Sequence, residues 1–188
     1  LRVLLAFIQW QIGMLILKQK VVVNWVNNSK ILTGKGEKGL TGNLYCGLME
    51  FEDMAFILHY LNETDEFFDV GANAGAYTIL AASVKRCRAH SFEPVPETFQ
   101  RLLDQIKINR IEDLVDARNC GLGASSDILE FTNAFDCTNK VNTDPINKDV
   151  TKVPVIALDD EYNPECNSII KIDVEGFEKF VIDGGSKF

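Results

Sequence analysis

Asp69 stands next to last in the run Phe67-Phe68-Asp69-Val70, which leads into alternating small residues in which Gly71, Asn73 and Gly75 stand two apart. A strand that ends this way can let another molecule approach its backbone, and the helix that follows opens with unpaired N–H groups. The pattern predicts that something other than protein comes close to the chain there. Glu93 ends a second predicted strand, Ala89 to Glu93, 18 residues beyond Gly75. A carboxylate so placed can accept both vicinal hydroxyls of a ribose. Near the end of the chain, Ser168 to Val174 is another apolar run, carrying Asp173 and then Glu175-Gly176. A carboxylate within reach of a hydroxyl can take its proton, so Asp173 and Glu175 are the catalytic candidates. If the strand continued through both, they would point to opposite faces.

The spacing Gly71-x-Asn73-x-Gly75 departs from the G-x-G-x-x-G of dinucleotide sites, and Asp69 would repel a pyrophosphate. It suits a nucleoside with a cationic end. S-adenosylmethionine, a ribonucleoside with a sulfonium and an amine, meets both requirements. An NAD-dependent oxidoreductase and a non-catalytic nucleoside-binding domain are the competing readings. Gly34 and Gly39 have phosphate-loop spacing, but Leu40 stands where that loop needs lysine. Asp159, Asp160, Asp173 and Glu175 could together hold a divalent cation, but nothing in their spacing requires it. With two histidines and five cysteines lacking any CxxC, no metal is predicted.

The elements that must position these residues read as alternating strands and helices. Strands are predicted at Val21–Val26, Lys30–Leu32, Phe67–Val70, Ala89–Glu93, Asp113–Asn119, Ile128–Phe131, Val153–Leu158 and Ser168–Val174. Helical periodicity marks Glu50–Leu61, Gly75–Arg86 and the segment from Pro96 through Ile106. Gly34–Asn43 reads as a loop or hairpin, and polar Asn133–Asp149 as a surface excursion. The order predicts a mostly parallel α/β sheet with flanking helices, with ligands at the carboxyl ends of its strands. That places Asn119 beside Asp69, Glu93 and Asp173.

The chain has 188 residues, suiting one domain, and a net charge of −8. That charge argues against a surface built to neutralise phosphate, so no nucleic-acid partner is expected. Val3 to Leu17 is strongly apolar but interrupted by Gln9, Gln11 and Gly13, and falls short of the ~20 residues that span a bilayer. It is expected to be a helix packed on the domain, the remnant of a membrane anchor or signal sequence being the alternative. Reduced thiols are the plain reading of the odd cysteine count, and a cytoplasmic location is the expectation, with an N-terminal anchor of a longer protein as the alternative.

These motifs together resemble the FkbM-type S-adenosylmethionine-dependent methyltransferases. The resemblance rests on DVGANAGAYT (Asp69 to Thr78), FEPVPETF (Phe92 to Phe99), NCGLG (Asn119 to Gly123), ALDD (Ala157 to Asp160) and IIKIDVEGFE (Ile169 to Glu178). It rests more loosely on TGNLYCGLMEFEDM (Thr41 to Met54). It implies a Rossmann-like class I methyltransferase fold with S-adenosylmethionine at Asp69, Gly71, Asn73, Gly75, Glu93 and Asn119. It also implies methylation of a hydroxyl on a sugar, glycan or secondary metabolite. Residues 41–188 would form this domain, and residues 1–40 a peripheral helix with short strands. A class I sheet continues past its fourth strand, so the sequence is expected to be a fragment of a longer protein. Asn43, Tyr45 and Glu50 are expected to close the cofactor pocket from the N-terminal side.

Overall fold

The computed structural model describes residues 2–132, 150–161 and 166–188. Asn133–Asp149, expected as a surface excursion, lies outside them. The N-terminal part runs through helix α1 (Arg2–Leu17), the antiparallel pair β1 (Val21–Asn24) and β2 (Lys30–Thr33), and helices α2 (Lys38–Cys46) and α3 (Phe51–Tyr60). Next come β3 (Glu66–Val70), a helix that begins as α4 (Ala76–Thr78) and continues as a π-helical segment (Ile79–Val84), β4 (Arg88–Phe92), α5 (Pro96–Asn109) and β5 (Val115–Arg118). The chain then forms β6 (Gly121–Gly123), β7 (Asp127–Thr132), β8 (Val150–Ala157), β9 (Ser168–Ile172) and α6 (Glu178–Asp183).

The central sheet has the order β5-β4-β3-β9, parallel throughout. Strand β3 lies inside it, which explains its apolar run: a strand covered on both faces cannot alternate with polar residues. Phe67 faces a core formed with Leu80, Leu102 and Ile106, while Phe68 and Val70 face a second core with Phe92, Leu122 and Val181. Beside this sheet, β6, β8 and β7 form a smaller mixed sheet, β6 parallel and β7 antiparallel to β8. Among the described residues β9 pairs only with β3, so it is an edge of the central sheet.

Strand β2 is joined to helix α5 by side chains. Gln105 accepts from Leu32 N (2.9 Å) and donates to Leu32 O (2.6 Å). One turn on, Asn109 does the same for Lys30, accepting at 2.7 Å and donating at 2.9 Å. The two amides, four apart on one helix face, satisfy backbone groups two apart along the strand.

Two expectations change here. Gly34–Asn43 is not all loop: helix α2 begins at Lys38. Leu40 is buried against Ile31, Ala74 and Ile79, and a Cβ at Gly42 would stand 2.1 Å from Met49 Sδ. The helix forms because its apolar residues face the core, and its glycines permit close contact rather than a turn. The helix expected over Gly75–Arg86 is α-helical for one short stretch only, and its π-helical part is wholly buried from Ile79 to Ala82.

The glycines after β3 also have a reason within the protein. Gly71 has φ +74°, and a Cβ there would lie 2.0 Å from the Asp173 carbonyl oxygen. Gly75 has φ +88°, and its Cβ would meet Leu102 Cδ1 at 2.6 Å. Gly36 shares the left-handed conformation, φ +91°, but has open space around it. Gly71→Ala should therefore destabilise the protein by on the order of 3 kcal/mol, combining strain and overlap. Gly36→Ala should cost about 1 kcal/mol. Urea unfolding measures both, and equal losses would show that the Asp173 backbone does not constrain Gly71.

Candidate active site

A carboxylate buried at the end of a central strand must find partners or raise the cost of folding. Asp69 is 0% exposed. Its Oδ2 accepts from Thr78 N (3.1 Å) and Thr78 Oγ1 (2.7 Å). Thr78 spends its hydroxyl proton on Asp69, so Ser91 Oγ, 2.8 Å away on β4, is the donor in the Thr78–Ser91 pair. Asp69 Oδ1 accepts no hydrogen bond but faces the Lys171 ammonium at 3.3 Å. Lys171 lies opposite Asp69 in the β3–β9 register, and its Nζ donates to Gly71 O at 2.7 Å. The same ammonium is 3.8 Å from Asp173 Oδ2 and 5.3 Å from the centre of the Tyr77 ring.

The glycine loop after Asp69 is closed on itself. Gly71 N and Ala72 N both donate to Phe92 O at 3.0 Å. Asn73 N donates to Glu93 Oε2 (2.9 Å), Ala74 N to Asn73 Oδ1 (2.7 Å) and Gly75 N to Ala72 O (2.8 Å). Every N–H from Gly71 to Gly75 thus has an acceptor within the protein. Glu93 is buried, and its other oxygen, Oε1, accepts from Val95 N at 2.9 Å. Burial pushes the Glu93 carboxyl up to about 7, against the pull of those two N–H groups and Lys171. Asn119, just past the end of β5, holds the same turn, donating to Glu93 O (2.8 Å) and Pro94 O (2.9 Å).

In front of the loop lies a cleft of about 360 Å³. Gly71 and Asn73 line one side, Lys171, Asp173 and Glu175 another, and Asn43 and Glu50 the N-terminal side. Tyr77 OH donates to Glu50 Oε2 at 2.6 Å, and burial first, then Glu50, raises the Tyr77 pKa. Asn43 is 1% exposed; its Oδ1 accepts from Met49 N (2.8 Å), and its Nδ2 is buried without a hydrogen-bond partner.

Of the residues predicted from sequence, Gly71, Asn73, Asp173 and Glu175 line this cleft. Asp69, Gly75, Glu93 and Asn119 stand behind it and hold the lining in place. Asp173 and Glu175 are not on opposite faces. Strand β9 ends at Ile172, and Glu175 takes a left-handed conformation (φ 50°), so strand alternation no longer applies. Asn43 and Glu50 reach the cleft as expected, whereas Tyr45 turns to an edge contact with Phe7, 5.5 Å between ring centres. Asp159, weighed as a cation ligand, accepts from Ser186 Oγ (3.0 Å) and Lys187 N (2.8 Å). Among the described residues no group of three or more His, Cys, Asp or Glu is gathered for a metal. Sequence reasoning missed Lys171, although a lone lysine inside an apolar strand is itself a sign of a buried partner.

The family model of the methyltransferase FkbM domain matches residues 69–188, the stretch that runs from Asp69 at the end of β3 through Lys171 and the whole Asp173–Gly176 turn. The chain belongs to the FkbM methyltransferase family. The methyl donor of this family is S-adenosylmethionine. Solved structures overlap in part. A TYW2 structure from P. horikoshii in complex with MeSAdo is 18% identical, with a TM-score of 0.43 over 55% of this chain and 36% of its own. An RNA methyltransferase from Salinibacter ruber in complex with S-adenosyl-L-homocysteine is 25% identical, with a TM-score of 0.35 over 37% of this chain and 47% of its own. This FkbM chain thus spans less than half the length of either structure. No curated protein matches it.

The raised Glu93 carboxyl has a pH signature. Between about 4.5, its ordinary value, and about 7, the folded FkbM domain binds more protons at Glu93 than the unfolded chain does. Stability from this group is therefore lost as the pH rises through that window, by on the order of 3 kcal/mol. Chemical denaturation at pH 5 and pH 8 should show that loss in the wild type and not in Glu93→Gln. An equal pH dependence in both proteins would remove Glu93 as its source.

Proposed function

We propose that the chain binds S-adenosylmethionine in the strand-end cleft and directs its methyl group to a hydroxyl on a sugar or small hydroxylated metabolite. The observation that carries this reading is the saturated glycine loop. Its N–H groups already have acceptors, so the loop offers no cradle for a pyrophosphate. The cleft in front presents Glu50, Asp173 and Glu175 against the single ammonium of Lys171. That surplus of negative charge fits a ligand with a cationic end and opposes a dinucleotide.

The residues present also fit the rest of this ligand. The unpartnered Asn43 Nδ2 is a buried donor at the cleft wall, suited with the Lys171 ammonium to a carboxylate. Glu93 stands behind the loop with one lone pair on each oxygen spent on Asn73 N and Val95 N, so in this reading it positions the loop against the ribose. Asp69 works as a positioning residue, through Thr78 and Lys171. When bound, S-adenosylmethionine supplies a methyl group activated by its sulfonium. A hydroxyl is a weak nucleophile at neutral pH, and the part of Asp173 or Glu175 is to take its proton. Asp173 is well placed to meet an incoming acceptor, its side chain 59% exposed. In this reading the methyltransferase unit begins near residue 41, and residues 1–40 are an added N-terminal segment.

Transfer of radiolabelled methyl from S-adenosylmethionine tests the proposal, with sugars, small hydroxylated compounds and RNA offered separately. The expected result is a methylated hydroxyl in one of the first two arms. Asp173→Asn or Glu175→Gln should then lower turnover by roughly 10²–10⁴-fold with cofactor binding retained. Labelling of RNA alone would overturn the acceptor class, and normal turnover by both variants would remove both as the base.

A further inference from the structure

Helix α1 leaves its apolar side chains in solvent. Val3, Leu4, Leu5, Ile12, Leu15 and Ile16 are all exposed, Ile16 by 74%, and of the large apolar residues on the helix Met14 is buried. No charge occurs from Val3 to Leu17, and two glutamines are the polar interruptions apart from Gly13. A helix apolar around most of its circumference is stable inside protein or in lipid, and a water-facing patch of this kind marks a surface that something covers.

Charge says what covers it. The first 36 residues contain five basic residues (Arg2, Lys18, Lys20, Lys30 and Lys35) and no acidic one. The whole chain carries −8, which leaves −13 for the remainder. Lys18 ends α1 in a left-handed conformation (φ 52°), and Lys18, Lys20 and Lys35 surround a cleft of about 370 Å³ at that end of the helix. Glu37 lines the cleft too and pairs with Lys20 at 2.8 Å, which leaves Lys18 and Lys35 as its surplus charge. A second copy of this chain would bring its own acidic body toward these lysines, but also a second unscreened apolar helix. An anionic bilayer offers apolar chains and negative headgroups in adjacent layers, the arrangement of α1 and its lysines.

We propose that α1 and the lysine cleft at its end form a docking site for a membrane surface bearing anionic phospholipids. At 1.5 Å per residue the helix is about 24 Å long, and no helix among the described residues is long and apolar enough to cross a membrane. In this docking mode the helix lies in the interfacial layer, its apolar side chains in the acyl region and Lys18 and Lys35 at the headgroups. The acidic remainder is repelled by the same surface, which orients the chain with its N-terminal segment toward the lipid.

Flotation of the full chain with phosphatidylcholine vesicles, with and without phosphatidylserine, tests this. The chain should float with the phosphatidylserine vesicles, less so as salt is raised. Replacing Lys18 and Lys35 by alanine should weaken binding about fivefold each. Leu15→Gln with Ile16→Gln should also release it, and since all four side chains are exposed the variants keep their circular dichroism. Failure of the folded wild type to float would overturn the proposal. So would equal binding to neutral vesicles, or a dimer in sedimentation that the Leu15 and Ile16 changes dissolve and that ignores lipid.

Discussion

The fold is organised around one buried carboxylate. Asp69 has no exposed surface, and an unpaired carboxylate there would cost several kcal/mol. Its partners come from three directions: Thr78 from the helix after β3, Ser91 through Thr78 from β4, and Lys171 from β9. Satisfying Asp69 therefore fixes how three strands and a helix meet. Lys171 carries the network forward into the cleft, because the same ammonium holds Gly71 O and stands near Asp173.

What the cleft offers a ligand follows from this arrangement. The loop is held from behind by Phe92 O and by Glu93, itself kept in place by Asn119, so it needs no ligand to order it. The left-handed glycines serve the protein first: at Gly71 the Asp173 carbonyl passes where a side chain would be. With its donors spent inward, the loop presents shape but little positive charge. The charge of the site comes instead from carboxylates at the strand ends and from Lys171. In the reading proposed above, such a cleft would favour a cationic ligand by electrostatics rather than hold an anion in a cradle.

Much of this was legible in the sequence, because apolar runs followed by acidic or small residues are strong local signals. The parallel sheet, the strand-end placement of Asp69, Glu93 and Asp173, and the family follow from them. Other features depend on contacts between distant segments. Asp69 was expected to face the ligand, yet its carboxylate turns inward because Thr78 and Lys171 come to meet it. Helix α2 was hidden by glycines whose purpose is closeness to Met49 and Asn73. The shared side of Asp173 and Glu175 depends on where β9 stops, and the positive φ of Glu175 has no marker in its residue type.

The central claim is that a glycine loop with its donors spent and an acidic cleft before it binds a sulfonium nucleoside and not a dinucleotide. The most direct measurement is calorimetric titration of the folded chain with S-adenosylmethionine and, separately, with NAD. The account predicts micromolar binding of S-adenosylmethionine and no heat with NAD. Binding of NAD, or no binding of S-adenosylmethionine by a chain whose circular dichroism shows it folded, would contradict it.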